Sequence, residues 1–185
     1  MPPTHGFWCR IALISLGGFF EFYDLFLAAY VVPGLTAAHI LVKESYFLGP
    51  AGFVAAFFAG LWLGTALFGF VADRLGRRAI FTFSLVWYAA AAIGMALQHD
   101  AMGLALFRFL GGIGIGVELV TIDTYIAELA PPRLRGRAFA FSNVIQFAAI
   151  PLVAFLAWML VPLAPLGVAG WRWVVLIGAA GAVVV

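Results

Sequence analysis

Charge and cysteine are both scarce in this sequence. Only 10% of its 185 residues are charged, and Cys9 is the one cysteine. A soluble domain carries roughly 25% charged residues, so a chain that is 65% hydrophobic has too little polar surface for a soluble fold. One cysteine allows no internal disulfide, and a net charge of +2 without a basic stripe gives no indication of nucleic acid as a partner. The composition predicts an integral membrane protein.

Sequence motifs of enzymes and metalloproteins are also missing. The glycines at 111–116 lie inside an apolar run with no strand before them, so they do not make a nucleotide-binding loop. The histidines are scattered at predicted loops or termini, where they are expected to be solvated. They are His5, His39 and His99. We therefore expect no enzyme activity, no cofactor and no metal site.

Apolar runs of about twenty residues make up most of what is present. They predict an all-α membrane protein with six transmembrane helices in a single domain, 1–185. The predicted spans are residues 11–32, 48–71, 79–97, 102–127, 138–161 and 171–185. The last run gives only about 22 Å of helix, less than the roughly 30 Å of a bilayer core. We therefore expect the chain to stop within its sixth helix, as a fragment or a truncated protein would.

Basic residues cluster on one side of the predicted spans. One precedes the first span, three follow the second and three follow the fourth. These are Arg10, then Arg74, Arg77 and Arg78, then Arg133, Arg135 and Arg137. Only Lys43 and Arg172 fall on the other side. Since basic loops stay in the cytoplasm, the N-terminus is predicted to be cytoplasmic.

The segment GFVADRLGRR, residues 69–78, occupies the short loop after the second span. Asp73 in this loop can cap a helix or pair with an arginine, and Gly76 allows a tight turn. The ordered pattern resembles the signature loop of the major facilitator superfamily. RFLGGIGIGVE, residues 108–118, resembles the fourth-helix pattern of that superfamily, an arginine followed by spaced glycines. YIAELAPPRLRGR (125–137) and GWRWVVLIGA (170–179) resemble its sugar-porter and metabolite:proton symporter branch.

The resemblance implies the N-terminal six-helix half of a twelve-helix secondary transporter in a bacterial inner (cell) membrane. Its implied partners are a small-molecule substrate, a proton, the lipid bilayer and a C-terminal six-helix half, with no nucleic acid. The resemblance also implies a cytoplasmic gating motif that latches the two halves. Its residues are Gly69, Asp73, Arg74, Gly76, Arg77, Arg78, Glu128 and Arg135. Interfacial anchoring is the alternative explanation of the same charges.

Arg108 is a charged residue inside the fourth span, where a cation is costly and by default functional. It lies about six residues from the outer end of its span, roughly 9 Å deep. Asp24 of the first span lies about 10 Å from the same face, so the two depths match. The resemblance likewise places an acid of the first helix near this arginine. We hypothesise a proton-coupling pair in which Asp24 carries the proton and Arg108 resets it; the alternative is a static ion pair that fixes helix packing.

Further polar residues inside the spans are candidates for substrate binding. Glu21 lies on the same helix face as Asp24, and either serves the substrate, couples to the titration of Asp24, or stays protonated inside the bundle. Glu118 is expected to face the cavity, whereas Asp123 is assigned to the cytoplasmic network. The fifth span carries Ser142, Asn143 and Gln146, which we expect to share one face. The substrate-binding candidates are Glu21, Glu118, Asn143 and Gln146; for the fifth span, hydrogen bonding between helices is the alternative.

The substrate class is predicted from departures from the family patterns. Sugar porters carry a further glutamine near Ile150, where this chain is apolar, and Pro151 lacks the spaced glycines of drug:proton antiporters. The aromatic-rich segment GGFFEFYDLF resembles importers of small organic acids and other metabolites. We therefore expect proton-coupled import of a small organic metabolite, with an aromatic or other organic acid favoured over a sugar. The alternatives are an efflux antiporter and a non-transporting fragment or assembly module.

Overall fold

The computed structural model describes residues 5–42 and 45–184, except for the side chains of residues 5, 68–75, 77, 78, 120 and 184. Within these residues the regular structure is helical. The α-helices are α1 (His5–Ala37), α2 (Pro50–Leu75), α3 (Arg77–Ala96), α4 (Ala101–Leu129), α5 (Arg135–Phe147), α6 (Ala149–Leu160) and α7 (Gly170–Val184), with a short 3-10 turn at Pro165–Gly167. Each predicted span contains a helix, so the predicted all-α membrane fold is confirmed.

The helices differ in how well they can cross a bilayer. Five helical stretches among the described residues are long and apolar enough to span one, with α5 and α6 together forming the fifth. The apolar helix α7 has 15 residues, or about 22 Å. The largest difference from the predicted spans is in α1, which covers 5–37 rather than 11–32. Hydropathy marks the part of a helix that lies in lipid, whereas backbone hydrogen bonding continues beyond it.

The ends of α3 and α4 follow from single residues. Gly76 separates α2 from α3 with a φ of 86° and a ψ of 139°, a conformation that only glycine adopts without strain, as its predicted role in a tight turn requires. Asp100 is the N-cap of α4, and its carboxylate accepts a hydrogen bond from the backbone nitrogen of Gly103 at 2.8 Å. This bond satisfies a backbone donor that the helix itself leaves unpaired.

The fifth span is broken at Ala148, where α5 ends and α6 begins, although a continuous helix was expected there. Pro151 lies three residues beyond the break. Its nitrogen has no hydrogen to donate to the carbonyl of Phe147, and its ring crowds that carbonyl. The backbone nitrogen of Ala148 still donates to the carbonyl of Val144 at 3.2 Å, so the break is a local kink in one span.

Helix α4 lies against α2 on one side and α3 on the other, and α1 packs against α4, α5, α6 and α7. Four glycines bring the α2 and α4 backbones together: Gly60 and Gly64 on α2, and Gly112 and Gly116 on α4. A Cβ atom at Gly112 would lie 3.0 Å from the backbone nitrogen of Leu61 and closer still to the carbonyl oxygen of Phe57. Glycines four residues apart are the spacing at which membrane helices approach most closely.

Two clusters of buried apolar side chains make up the core. The larger cluster includes Tyr23, Leu27 and Trp171, and the smaller one includes Ile11, Ile14, Ile122, Ile126 and Ala138. On α1 the smaller cluster ends at Ile14 and the larger begins at Tyr23. The residues between the clusters are therefore the place to look for a site.

Candidate functional site

Buried polar side chains lie between the two apolar clusters on three different helices. We call this set the polar layer: Ser15 and Glu21 on α1, Glu118 on α4, and Ser142 and Gln146 on α5. Each member is at most 6% exposed. Polar side chains buried at membrane depth are costly unless they have partners or a function, so each hydrogen bond in the layer matters.

Asp24 and Arg108 meet three residues beyond Glu21 on α1. Arg108 Nη1 donates to Asp24 Oδ2 at 2.6 Å, and Nη2 donates to the backbone carbonyl oxygen of Asp24, also at 2.6 Å. The guanidinium carbon lies 4.2 Å from the ring centroid of Phe57, a cation–π contact. Both side chains of the ion pair are 2% exposed. The contact expected from matching depths is present, and the role of the pair in proton coupling stays a prediction.

Two buried polar atoms beside this ion pair have no hydrogen-bond partner among the described residues. They are Arg108 Nε and the hydroxyl oxygen of Tyr88. The Tyr88 hydroxyl is close enough to Asp24 to interact with its charge, although no hydrogen bond of good geometry joins them. Tyr23, by contrast, donates a hydrogen bond to the carbonyl oxygen of Val174 at 2.7 Å. The Asp24 carboxyl therefore has a second polar neighbour besides the arginine.

A pair of adjacent glycines on α1 makes room for polar side chains from two other helices. A Cβ atom at Gly17 would lie 2.6 Å from Glu118 Oε1, and one at Gly18 would lie 2.8 Å from Gln146 Cδ. Both distances are shorter than real carbon contacts, and the ring of Phe81 on α3 would lie as close to a Cβ at Gly17, so any larger residue would displace these side chains from α1. This recess was not predicted from the sequence. The available signal was two consecutive glycines in a helix otherwise rich in phenylalanine.

The α5 members of the layer are joined to α1 by hydrogen bonds. Gln146 Nε2 donates to Ser142 Oγ at 2.8 Å, and Ser15 Oγ lies 2.8 Å from the same oxygen. Asn143 does not take part in these contacts, and its role in substrate binding stays a prediction. It is exposed, whereas Ser142 and Gln146 are buried, so the prediction that all three share one face is wrong. Successive helical residues differ by about 100°, which turns Asn143 away from its neighbour.

Glu21 and Glu118 are the acids of the layer, 4% and 1% exposed. Glu118 Oε1 has no hydrogen-bond partner among the described residues. The charged groups that act most strongly on Glu21 are themselves acidic: Glu118, and Asp123, which is exposed near the end of α4. Glu118 is thus buried inside the bundle, whereas its facing a substrate cavity stays a prediction. In the described part of the chain no ion pair joins either glutamate to a cation.

The predicted cytoplasmic gating motif is only partly described. The side chains of Gly69, Asp73, Arg74, Arg77 and Arg78 lie outside the described residues. Gly76 forms the turn between α2 and α3, and Glu128 and Arg135 are exposed near the ends of α4 and α5 that face each other across a short loop. The latch between the two halves of a transporter stays a prediction.

Solved structures share the fold of this chain, and relatives share part of its sequence. The fold matches the inward-open xylose transporter XylE from E. coli with a TM-score of 0.81 at 24% identity, over 96% of this chain and 46% of that one. It is the fold of the N-terminal half of a major facilitator protein. Residues 10–185 match the family described as "Sugar (and other) transporter", and the chain belongs to that family.

Two relatives from Bacillus subtilis (strain 168) are each 32% identical to this chain. One is a putative metabolite transport protein, YyaJ, matched over 88% of this chain and 35% of its own length. The other is an arabinose-proton symporter, matched over 89% of this chain and 35% of its own length. The chain thus spans about a third of the length of these relatives, which are transport proteins rather than enzymes, as predicted. It is an integral membrane protein, and its bacterial relatives indicate a bacterial cell membrane.

Proposed function

We propose that this chain, assembled with a second six-helix half, carries a small polar solute across the membrane together with a proton. The two halves would rock around a site near the middle of the bilayer and expose it to each side in turn. The observation that carries the proposal is the buried ion pair between Asp24 and Arg108, 2.6 Å apart on two different helices. A bilayer protein has little reason to bury such a pair beside a polar layer unless one member changes its charge during function.

Asp24 is the group that we propose to take up the proton. When its carboxyl becomes neutral, the ionic contact with Arg108 is lost. The arginine does not lose all its partners, because Nη2 still donates to the backbone carbonyl of Asp24 and the guanidinium still faces the ring of Phe57. Arg108 therefore stays in place and can bind the carboxylate again once the proton has left. A fixed arginine of this kind resets the carrier after each cycle.

The polar layer is the part of this half that we propose to bind the solute. Glu21 and Glu118 can accept hydrogen bonds, and Gln146 can both donate and accept them. An organic anion would meet two acids here, while the one buried cation in the described spans, Arg108, is already paired. A neutral solute with several hydroxyl groups suits this chemistry better. We therefore propose a sugar-like solute, in keeping with the arabinose-proton symporter among the relatives.

The predicted preference for an aromatic or other organic acid over a sugar is not supported by the relatives, which include a niacin transporter, 31% identical, as well as sugar transport proteins. It rested on the apolar residue at Ile150 and on the aromatic character of 17–26. The apolar residue at 150 argues against one additional hydrogen bond to a sugar, but it adds no cation to hold an acid. Organic acids therefore enter the proposal as the competing outcome of the same experiment.

The test uses the complete transporter, purified and reconstituted in liposomes with an imposed pH gradient. Labelled arabinose, xylose and glucose are compared with an aromatic acid as substrates, with gradients of both directions. Asp24→Asn should remove the uphill accumulation that the Asp24 proton drives while leaving exchange of solute across the membrane. Asp100→Asn is the matched control, because Asp100 is an exposed N-cap residue and asparagine caps equally well.

The outcomes separate the parts of this proposal. Full uphill uptake by Asp24→Asn would refute the role of Asp24 as the proton carrier. Uptake of the aromatic acid without uptake of any sugar would refute the neutral-solute proposal and restore the organic-acid prediction. Accumulation only when the gradient drives solute outwards would make the protein an efflux antiporter instead.

A further inference from the structure

Glu21 and Glu118 come together on the surface where α1 packs against α4. Glu118 Oε1 lies against Gly17, and Gly17 and Glu21 are four residues apart and so on the same face of α1. The Glu21 backbone is therefore about one helical turn, roughly 6 Å along the axis, from the glycine that Glu118 contacts, and the charges of the two carboxyls interact. Both are more than nine-tenths buried, and one oxygen of Glu118 has no partner in the described part of the chain.

The charge balance around these two acids is negative. The titratable groups that interact with them are Asp123 on α4, with Glu21, and Tyr88 on α3, with Glu118; Tyr23, Asp24 and Arg108 lie beyond, around the ion pair. The described side chains of α2, α6 and α7 bring no charge to this face, and the arginines of α5 lie exposed at its cytoplasmic end. Arg108, the one cation, is occupied by Asp24. Two ionised glutamates would therefore be uncompensated inside the bilayer, which is costly for each of them.

A metal ion is a poor way to neutralise this pair. No group of three or more histidine, cysteine, aspartate or glutamate side chains in the described part of the chain is arranged to hold one. A proton needs only one carboxylate, and two neighbouring acids can share it. Asp123, five residues further along α4 and about 7.5 Å towards the cytoplasmic end, is exposed and also acts on Glu21. Its exposed carboxyl can exchange a proton with cytoplasmic water and so connect the buried acids to it.

We propose that Glu21 and Glu118 form a second proton-binding site, separate from Asp24 and Arg108. One proton enters the site when the polar layer closes away from water, and it leaves through Asp123 when the layer opens to the cytoplasm. Coupling of this second proton to transport rests on the proposed function. A transport cycle then moves two protons with each solute, one on Asp24 and one on the glutamate pair. The proton-binding part stands independently, because it concerns the charge of the resting protein.

The first experiment measures proton binding without any substrate. Infrared spectra of the purified complete transporter are recorded through a pH titration, and the carbonyl band of protonated carboxyl groups is followed. Glu118→Gln should remove a protonated-carboxyl band near neutral pH, and the same band should persist in Asp24→Asn. Asp100→Asn is the control and should leave the spectrum unchanged. A Glu118→Gln spectrum identical to that of the wild type would overturn the proposal.

The second experiment measures the ratio of protons to solute from the membrane potential at which net flux in liposomes reverses. The wild type should move two protons with each solute, Glu118→Gln one, and Glu118→Asp, which keeps a carboxyl, two again. A ratio of one in the wild type would overturn the second site. Uptake by the wild type that requires Na⁺ in place of K⁺ would also overturn it, because the pair would then hold a metal cation.

Failure of this proposal and failure of the proposed function give different results. If the wild type shows no proton-driven uptake at all, the proposed function fails, while the infrared band still decides whether the glutamates bind a proton. If uptake is proton-driven and Glu118→Gln behaves as the wild type in ratio and spectrum, only the second site fails.

Discussion

Replacing Gly112 by alanine should push α2 and α4 apart. The new Cβ would lie 3.0 Å from the nitrogen of Leu61 and closer to the carbonyl oxygen of Phe57, and neither backbone atom can rotate away. Overpacking of this kind costs about 1–3 kcal/mol, and contact with backbone on both sides favours the upper end. Alanine recovers up to about 1 kcal/mol through its higher helix propensity. We expect a net destabilisation of about 2 kcal/mol.

Gly111 is the matched control, because it precedes Gly112 on the same helix. A Cβ there would have its nearest neighbour, the Cβ of Ala91, at 3.8 Å, which is an ordinary van der Waals contact. Gly111→Ala should therefore leave stability unchanged or raise it by up to about 1 kcal/mol. The two variants should differ by about 3 kcal/mol, or somewhat more than a hundredfold in the unfolding equilibrium constant.

The assay is reversible unfolding of the purified protein in mixed micelles with increasing sodium dodecyl sulfate, followed by circular dichroism. Gly112→Ala should also slow transport, since Phe57 supplies the ring that faces Arg108 and would move with α2. Equal midpoints for the two variants, or a higher midpoint for Gly112→Ala, would refute the argument that backbone contact between α2 and α4 holds this half together.

Three further substitutions test single contacts. Arg108→Lys should lower proton-driven uptake about tenfold or more, because one ammonium group cannot make both hydrogen bonds that the guanidinium donates to Asp24. A normal initial rate of uptake would contradict this. Arg172→Gln should lower the unfolding free energy in the micelle assay by about 1–2 kcal/mol, because Arg172 donates to two carbonyl groups at the C-terminal end of α3. An unchanged midpoint would show that these two hydrogen bonds do not stabilise the protein. Tyr23→Phe should cost about 1 kcal/mol through its lost hydrogen bond to the carbonyl oxygen of Val174, and an unchanged midpoint would show that this bond does not stabilise the bundle.

Features that depend on depth in the membrane could be predicted from the sequence. Counting residues from the ends of the apolar runs was enough to place Asp24 and Arg108 at one level, because a helix rises by a constant amount per residue. The same counting located the helices, since hydropathy marks the segments that lie in lipid. The signature loop after the second span was enough to predict the family, because that motif can be recognised without knowing how the helices pack.

Features that depend on rotation around a helix could not be predicted in the same way. Asn143 was grouped with Gln146 because their spacing permits a common face, but the true neighbours of α5 decide which face is buried. The recess at Gly17 and Gly18 also depends on which helices pack there, and one sequence does not say that α4 and α5 both do. The kink before Pro151 could have been predicted from the sequence, because a proline inside a helix removes a backbone hydrogen bond.

The length of α1 has a consequence for how such a protein moves. The helix has 33 residues from His5 to Ala37, and Glu21 is its middle residue. Its ends are therefore about 24 Å from Glu21, so a rigid tilt of about 10° around the middle would displace each end by about 4 Å and the glutamate hardly at all. Glu21 therefore lies at the pivot of such a tilt. A tilt of this kind would move both ends of α1 while Glu21 keeps its place.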